Sequence, residues 1–194
     1  MKKTKSTKKS AFREWVESLI IAFLLAMFIR TFFIQAFKIP SGSMRMTLIE
    51  GDRLLVNKLS YGPKVPIVGN RLPGYSSPQR GDIIVFVYPA DPKKDFIKRI
   101  IAKGGETVEI KQGDIFINGR LVDDPKVKNT YYYNRGDYGE ISQKIEVPEG
   151  YFYVLGDNSA SSHDSRFWGF VPEKNVIGKA ELIYWPLNRI RFVK

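Results

Sequence analysis

The sequence predicts an all-β exported domain, partly closed and built of two sheets, behind one N-terminal transmembrane helix. Three observations carry that expectation. A 23-residue apolar run, Trp15 to Phe37, stands near the start of the chain. Beyond it lie seven short segments rich in β-branched and aromatic residues, each bounded by Gly, Pro or Asp. No long helical period follows the apolar run, and no internal repeat interrupts the pattern.

Taken in order, residues 1–14 form a basic tail. Six of them are Lys or Arg against Glu14 alone, so +5 of the chain's net +11 sits there. The remaining excess is modest for a nucleic-acid binder, and no nucleic-acid partner is expected. The apolar run of residues 15–37 is long enough as a helix, about 34 Å, to cross a bilayer. Arg30 lies close enough to one end to snorkel, and Trp15, Phe32, Phe33 and Phe37 suit the two boundaries. No small-x-small cleavage site follows the run, so a retained single-pass anchor is expected in place of a removable leader. The basic tail places the N-terminus in the cytoplasm and delivers everything after Phe37 across the membrane.

The strand candidates are DRLLVNKL, DIIVFVY, DFIKRIIA, ETVEIKQ, DIFINGRLV, YFYVLG and VIGKAELIYW. Asn118-Gly119 inside the fifth is a two-residue hairpin signal. The Gly- and Pro-rich run from Tyr61 to Arg80 reads as an extended ribbon or loop. Residues 104–150 read as an inserted smaller β lobe, with TYYYNRGDYG as an aromatic surface loop. Residues 38–103 and 151–194 then form the main β core. Trp185, in LIYWPL, suits a membrane interface.

Chemistry is scarce outside one stretch. The chain has no cysteine, which excludes thiol nucleophiles, thiolate metal sites and disulfides. With a single histidine, His163, no metal site and no cofactor is expected. The stretch IPSGSMRMTL, residues 39–48, places Ser41 and Ser43 one glycine apart just past the anchor, at or near the outer membrane surface. A serine hydroxyl needs a neighbouring base to become a nucleophile. His163 lies beside Asp164, but adjacent residues on an extended chain point opposite ways, so Asp164 is badly placed to orient that ring. Lys98 is the other base. Strand alternation in DFIKRIIA puts it on one face with Phe96, Ile100 and Ala102, an otherwise apolar face without a carboxylate. Burial there would lower its pKa toward a value at which a neutral amine accepts a proton. The residues equally allow the stem to lie along the sheet with its head in water.

IPSGSM…TL, GDRLLVNKLSYG, RGDIIVFVYP, DFIKRIIAKGGE and GDNSASSHDSRFWGFVP, in that order across residues 15–186, resemble bacterial type I signal peptidases. The resemblance implies a membrane-bound serine endopeptidase that removes signal peptides from exported preproteins after small residues, of the Ala-x-Ala type, using a Ser-Lys dyad. It implies Ser43 as nucleophile and Lys98 as general base. The Ser43 N–H and the Ser41 hydroxyl would form the oxyanion hole, and Ser162 would orient the Lys98 amine. Phe37, Ile39, Pro40, Met44, Leu48, Phe96 and Ile97 would surround shallow substrate pockets, although each also reads as plain core. Gly42 lets backbone approach the scissile carbonyl. Asp157, Asn158, Asp164 and Arg166 read as structural support, with an Asp164–Arg166 pair holding Ser162 in place. The implied partners are preproteins and the lipid bilayer, and the implied location is the outer face of a bacterial cytoplasmic membrane. A monomer is expected. One departure stands out: Met46 occupies a position where that family usually has proline, which removes a stiffening element from the serine turn. Ser159 and Ala160 also stand where relatives often carry charge. Two rival readings remain, a self-cleaving Ser-Lys protease of repressor type and a non-catalytic membrane-tethered β module. The first would need a DNA-binding helical domain where this chain has an anchor.

Overall fold

The computed structural model describes residues 11–65 and 69–193. The first ten residues of the expected basic tail lie outside the described residues, as do three positions of the Tyr61–Arg80 run. In chain order the elements are α1 (Ala11–Phe32), β1 (Ile34–Lys38), β2 (Arg53–Asn57), β3 (Ile83–Val87), β4 (Asp95–Lys103), β5 (Thr107–Lys111), β6 (Asp114–Ile117) and β7 (Arg120–Leu121). They continue as α2 (Pro125–Lys128), β8 (Ile145–Glu146), β9 (Tyr151–Leu155), α3 (Ser165–Trp168), β10 (Val171–Pro172), β11 (Val176–Trp185) and β12 (Arg191–Phe192). Two antiparallel sheets result. The larger runs β1-β2-β11-β3-β4-β9-β10 with β12 paired to β11, and the smaller runs β7-β6-β5-β8. All seven segments marked in the sequence contain strands.

Helix α1 is free of charge from Ser18 to Ile29, with Arg13, Glu14, Glu17 and Arg30 toward its ends, and none of its most apolar window is buried by the rest of the chain. The expected helix to Phe37 is corrected here: α1 stops at Phe32, and Ile34–Lys38 pair antiparallel with β2. The reason is a tertiary one. Strand β2 offers a complete ladder partner, from Ile34 opposite Asn57 to Lys38 opposite Arg53. That ladder pairs the inner edge of β1 along all five residues, and the outer edge is the free edge of the sheet. Lys58 Nζ donates to the carbonyls of Arg30 and Thr31 at 3.0 and 3.3 Å, closing the helix end.

Strand β4 is central, between β3 and β9, so residues on both its faces are buried from Lys98 to Ala102. Ile101 and Ala102 share an apolar cluster with Val108, Ile110, Ile115 and Tyr132 of the smaller sheet and its loops, tying the two sheets into one core. Tyr132 is therefore core, which corrects the expectation that TYYYNRGDYG is all surface loop; Tyr131 and Tyr133 on either side are exposed. Asn118 and Gly119 both adopt positive φ, 51° and 78°, the geometry of a tight hairpin turn joining Ile117 to its partner Arg120.

Candidate active site

Ser43 sits in a single 3-10 turn, Gly42–Met44, that follows an extended Ser41. The turn is pinned from within and from across the fold. Met44 and Leu48 are fully buried, and the Thr47 and Leu48 amides donate to Met44 O at 2.8 and 2.7 Å. From the loop after β9, the Asn158 amide donates to Ser43 O at 3.0 Å and Asn158 Nδ2 to Gly42 O at 2.9 Å. Met46, at 72% exposed, contributes nothing to this grip. The rigidity that a proline would supply comes instead from the buried Met44 and Leu48 and from Asn158.

Lys98 enters from β4, opposite Ile84 of β3. Its Nζ lies 2.7 Å from Ser43 Oγ and 3.0 Å from Ile97 O, and 5.6 Å from the Phe96 ring centroid. The residue is 4% exposed, and Ser43 is 8% exposed. Burial lowers the amine pKa to about 8; Asp164 and then Asp157 pull it back up in part, and Arg166 pushes it down. The face of β4 does lack a carboxylate, but the loop after β9 brings Asp164 and Asp157 near enough to act through space, which the alternation pattern does not reveal.

That loop, residues 156–166, is built on two buried ion pairs. Arg166 is fully buried and holds Asp164 through Nε and Nη2, each at 2.8 Å. Its Nη1 donates to Ser159 Oγ and Tyr133 O, both at 2.8 Å, and its Nη2 to Ser159 O at 2.9 Å and Ser162 O at 3.4 Å. Ser159 is thus part of the loop's scaffold. Arg99, next to Lys98 but on the opposite face of β4, clamps Asp157 at 2.8 and 2.7 Å, and Asp157 in turn accepts from Thr47 Oγ1 at 2.5 Å. Sequence reasoning missed Arg99 and Thr47 as supports. The signal was present in the strand alternation, which put Arg99 on a face shared with Ile97 and Ile101, a poor place for a solvated charge.

Ser162 is buried beside this centre, but its Oγ has no hydrogen-bond partner among the described residues. The expected bond from Ser162 to the Lys98 amine is therefore corrected: the amine's contacts are Ser43 Oγ and Ile97 O. Gly156 explains the crowding, for a Cβ on it would lie 2.1 Å from Ser162 Oγ and 2.5 Å from Ser43 O. Gly156 is a third residue that sequence reasoning passed over.

A cleft of about 260 Å3 opens over the Ser43–Lys98 pair, lined by Pro40, Ser41, Ser43, Asp95, Phe96, Ile97, Lys98, Ser161 and His163. Of the expected pocket residues, Pro40, Phe96 and Ile97 line it. Ile39, Met44 and Leu48 belong to the buried core, with Phe37 packed against that cluster, because the inward positions of β1 and of the serine turn face β2 and β11. The cluster meets the cleft through Ile97, which belongs to both. Asp95, Ser161 and His163 were not expected there. His163 stacks near Phe167 and Trp168, each with ring centroids 5.0 Å away, and is not bonded to Ser43.

A hydroxyl within hydrogen-bond reach of a buried, partly neutral amine is the constellation that an amine-activated serine peptidase needs. The chain is a serine endopeptidase in class. The family model for signal peptidase, peptidase S26, matches residues 12–185, and the chain belongs to that family. A signal peptidase I of Aquifex aeolicus (strain VF5) is 37% identical over 227 aligned residues, covering 89% of this chain and 84% of that one. Signal peptidase I T of Bacillus subtilis (strain 168) is 34% identical, over 99% of this chain and 95% of the relative. The crystal structure of a signal peptidase I from Enterococcus faecalis V583 is 34% identical, with a TM-score of 0.45 over 54% of this chain and 97% of that one.

Proposed function

We propose that this protein is a membrane-anchored signal peptidase that cleaves signal peptides from exported preproteins, with Ser43 as nucleophile and Lys98 as general base. The observation that carries the assignment is the 2.7 Å approach of Lys98 Nζ to Ser43 Oγ at a site where burial lowers the amine pKa to about 8. In its neutral form the amine accepts the Ser43 proton, and Oγ attacks the scissile carbonyl. The Ser43 N–H and the Ser41 hydroxyl receive the oxyanion; Ser41 lines the cleft and, although it is the N-cap of the Gly42–Met44 turn, its side chain makes no capping bond, so its hydroxyl is available. The amine then returns the proton to the leaving nitrogen. It next takes one from the water that hydrolyses the acyl-enzyme and gives it to Ser43 Oγ as the acyl–oxygen bond breaks, which restores the hydroxyl and the neutral amine. No cofactor enters this balance.

Strand β4 supports an extended substrate. Its first half, Asp95–Lys98, pairs with β3 on one edge, while β9 joins the other edge only from Arg99 onward. A peptide laid on that open stretch can form backbone ladder bonds with its small side chains in the narrow cleft. Single-turnover and steady-state cleavage of a preprotein with an Ala-x-Ala site, by the detergent-solubilised full chain, tests the assignment. Wild type turns over; Ser43→Ala and Lys98→Ala fold and bind but do not cleave. Full activity in either variant overturns the site. Stoichiometric binding without cleavage by wild type would instead favour the tethered module.

A further inference from the structure

The end of the membrane helix carries a feature that peptide hydrolysis does not use. A cleft of about 570 Å3 opens there, lined by Met27, Arg30 and Thr31 of α1, Gln35 of β1, and Lys58, Lys64, Val65 and Gly69. Three of these side chains are cationic and none is a carboxylate. No ion pair joins Arg30, Lys58 or Lys64 to an acid among the described residues. Lys58 and Lys64 are both partly buried. Burial first and Arg30 second hold the Lys58 amine below its ordinary pKa, while Asp95 opposes them from outside the cleft. Burial, then Arg71 and Lys174, do the same to Lys64. Positive charge is thus gathered and left uncompensated at this place, which an anion would relieve.

The position decides which anion. Lys58 also closes α1 by its bonds to the carbonyls of Arg30 and Thr31, so the cations sit at the level where the apolar helix ends. Met27 gives the cleft an apolar wall one turn back along that helix, and α1 is uncovered by protein throughout its apolar window. Thr31 and Gln35 add neutral hydrogen-bonding side chains. A group with a phosphate at the level of the cations and a hydrocarbon tail running along Met27 matches both walls. We propose that this cleft binds the phosphate headgroup of an anionic phospholipid at the membrane surface, with Arg30, Lys58 and Lys64 as its cationic ligands.

The proposal rests on α1 being a membrane anchor, so co-flotation of the full chain with phosphatidylcholine vesicles is measured first, as an independent check of that reading. The detergent-solubilised full chain is then titrated with phosphatidylglycerol and with phosphatidylcholine, and retained lipid is counted by native mass spectrometry. Each surface cation contributes roughly fivefold to binding of an anionic lipid. The expected result is one tightly held phosphatidylglycerol, at least tenfold preferred over phosphatidylcholine. Arg30→Gln/Lys64→Gln reduces that preference to about fivefold or less, the share left to Lys58, whereas Lys111→Gln/Lys144→Gln, which removes the same charge from the smaller sheet and its loop, leaves it unchanged. Lys58 is left intact because it also closes the helix. Equal retention of the two lipids by wild type, survival of the preference in the cleft variant, or equal loss in the control variant overturns the proposal. Displacement of the lipid by millimolar inorganic phosphate also overturns it, since the cleft would then be a site for free anions.

Discussion

The proposed chemistry turns on a single amine. Lys98 is buried where a charged ammonium is poorly solvated, and its pKa of about 8 lies far below the ordinary lysine value. A base must be neutral to act, so kcat/KM for peptide cleavage should rise with pH and level off above an apparent pKa of about 8. A profile flat from pH 6 to 10 would remove Lys98 from the role of base. The same shift has a stability consequence of fixed sign. Between about 8 and the unfolded-state value near 10.4, the unfolded chain binds more protons than the folded one, so folding stability rises with pH across that window. At pH 7 the buried amine costs on the order of 3 kcal/mol. Lys98→Met should therefore abolish cleavage and raise the denaturant midpoint at pH 7, and this gain should shrink as the pH approaches 10. Ser41→Ala tests the oxyanion role proposed for that hydroxyl: its loss should lower kcat by about 10²–10³ with little change in KM.

At the scale of elements, the catalytic turn is held less by its own sequence than by the loop after β9. The Arg99–Asp157 pair is 3% and 2% exposed at its two side chains. Removing the carboxylate from a buried guanidinium by Asp157→Ala should destabilise the fold by about 3–5 kcal/mol. It should also lower kcat, because Thr47 loses its acceptor beside the serine turn. Replacing both partners by Leu and Met should recover much of the stability and not the activity, which calorimetry and kinetics together can separate. Gly156→Ala should be as damaging through sterics alone, since the new Cβ would overlap Ser162 Oγ and Ser43 O. These elements also mark what could be read from sequence. Runs of β-branched and aromatic residues between Gly, Pro and Asp located the seven main strands, and period-two alternation within DFIKRIIA placed Lys98 on an otherwise apolar face. The conversion of Ile34–Phe37 from helix to strand was not legible, since nothing local distinguishes an apolar helix end from an apolar edge strand; the deciding partner, β2, lies further on in the chain, with Ile34 opposite Asn57 and Lys38 opposite Arg53. Ile39, Met44 and Leu48 were read as pocket or core, and only the fold decided for core. Ser162 was assigned a bond by resemblance that the packing around Gly156 does not make.

Considered whole, the protein joins an apolar helix to two antiparallel sheets that share one core. The basic N-terminus predicts a cytoplasmic tail and an outward-facing β domain. The absence of cysteine makes a clean test possible. Lys144→Cys should react with a membrane-impermeant maleimide in intact bacterial cells stripped of their outer barrier, and Ser6→Cys only after lysis. The opposite pattern would reverse the orientation. The handover from α1 to β1 has a mechanical consequence. A single residue, Phe33, separates the anchor from a strand hydrogen-bonded along its full length into the main sheet. An anchor on a slack leash would let the cutting edge wander over a range of heights, whereas this one works as a caliper, so the enzyme should tolerate changes in what its clients are made of far better than changes in how far their cleavage point stands from the bilayer.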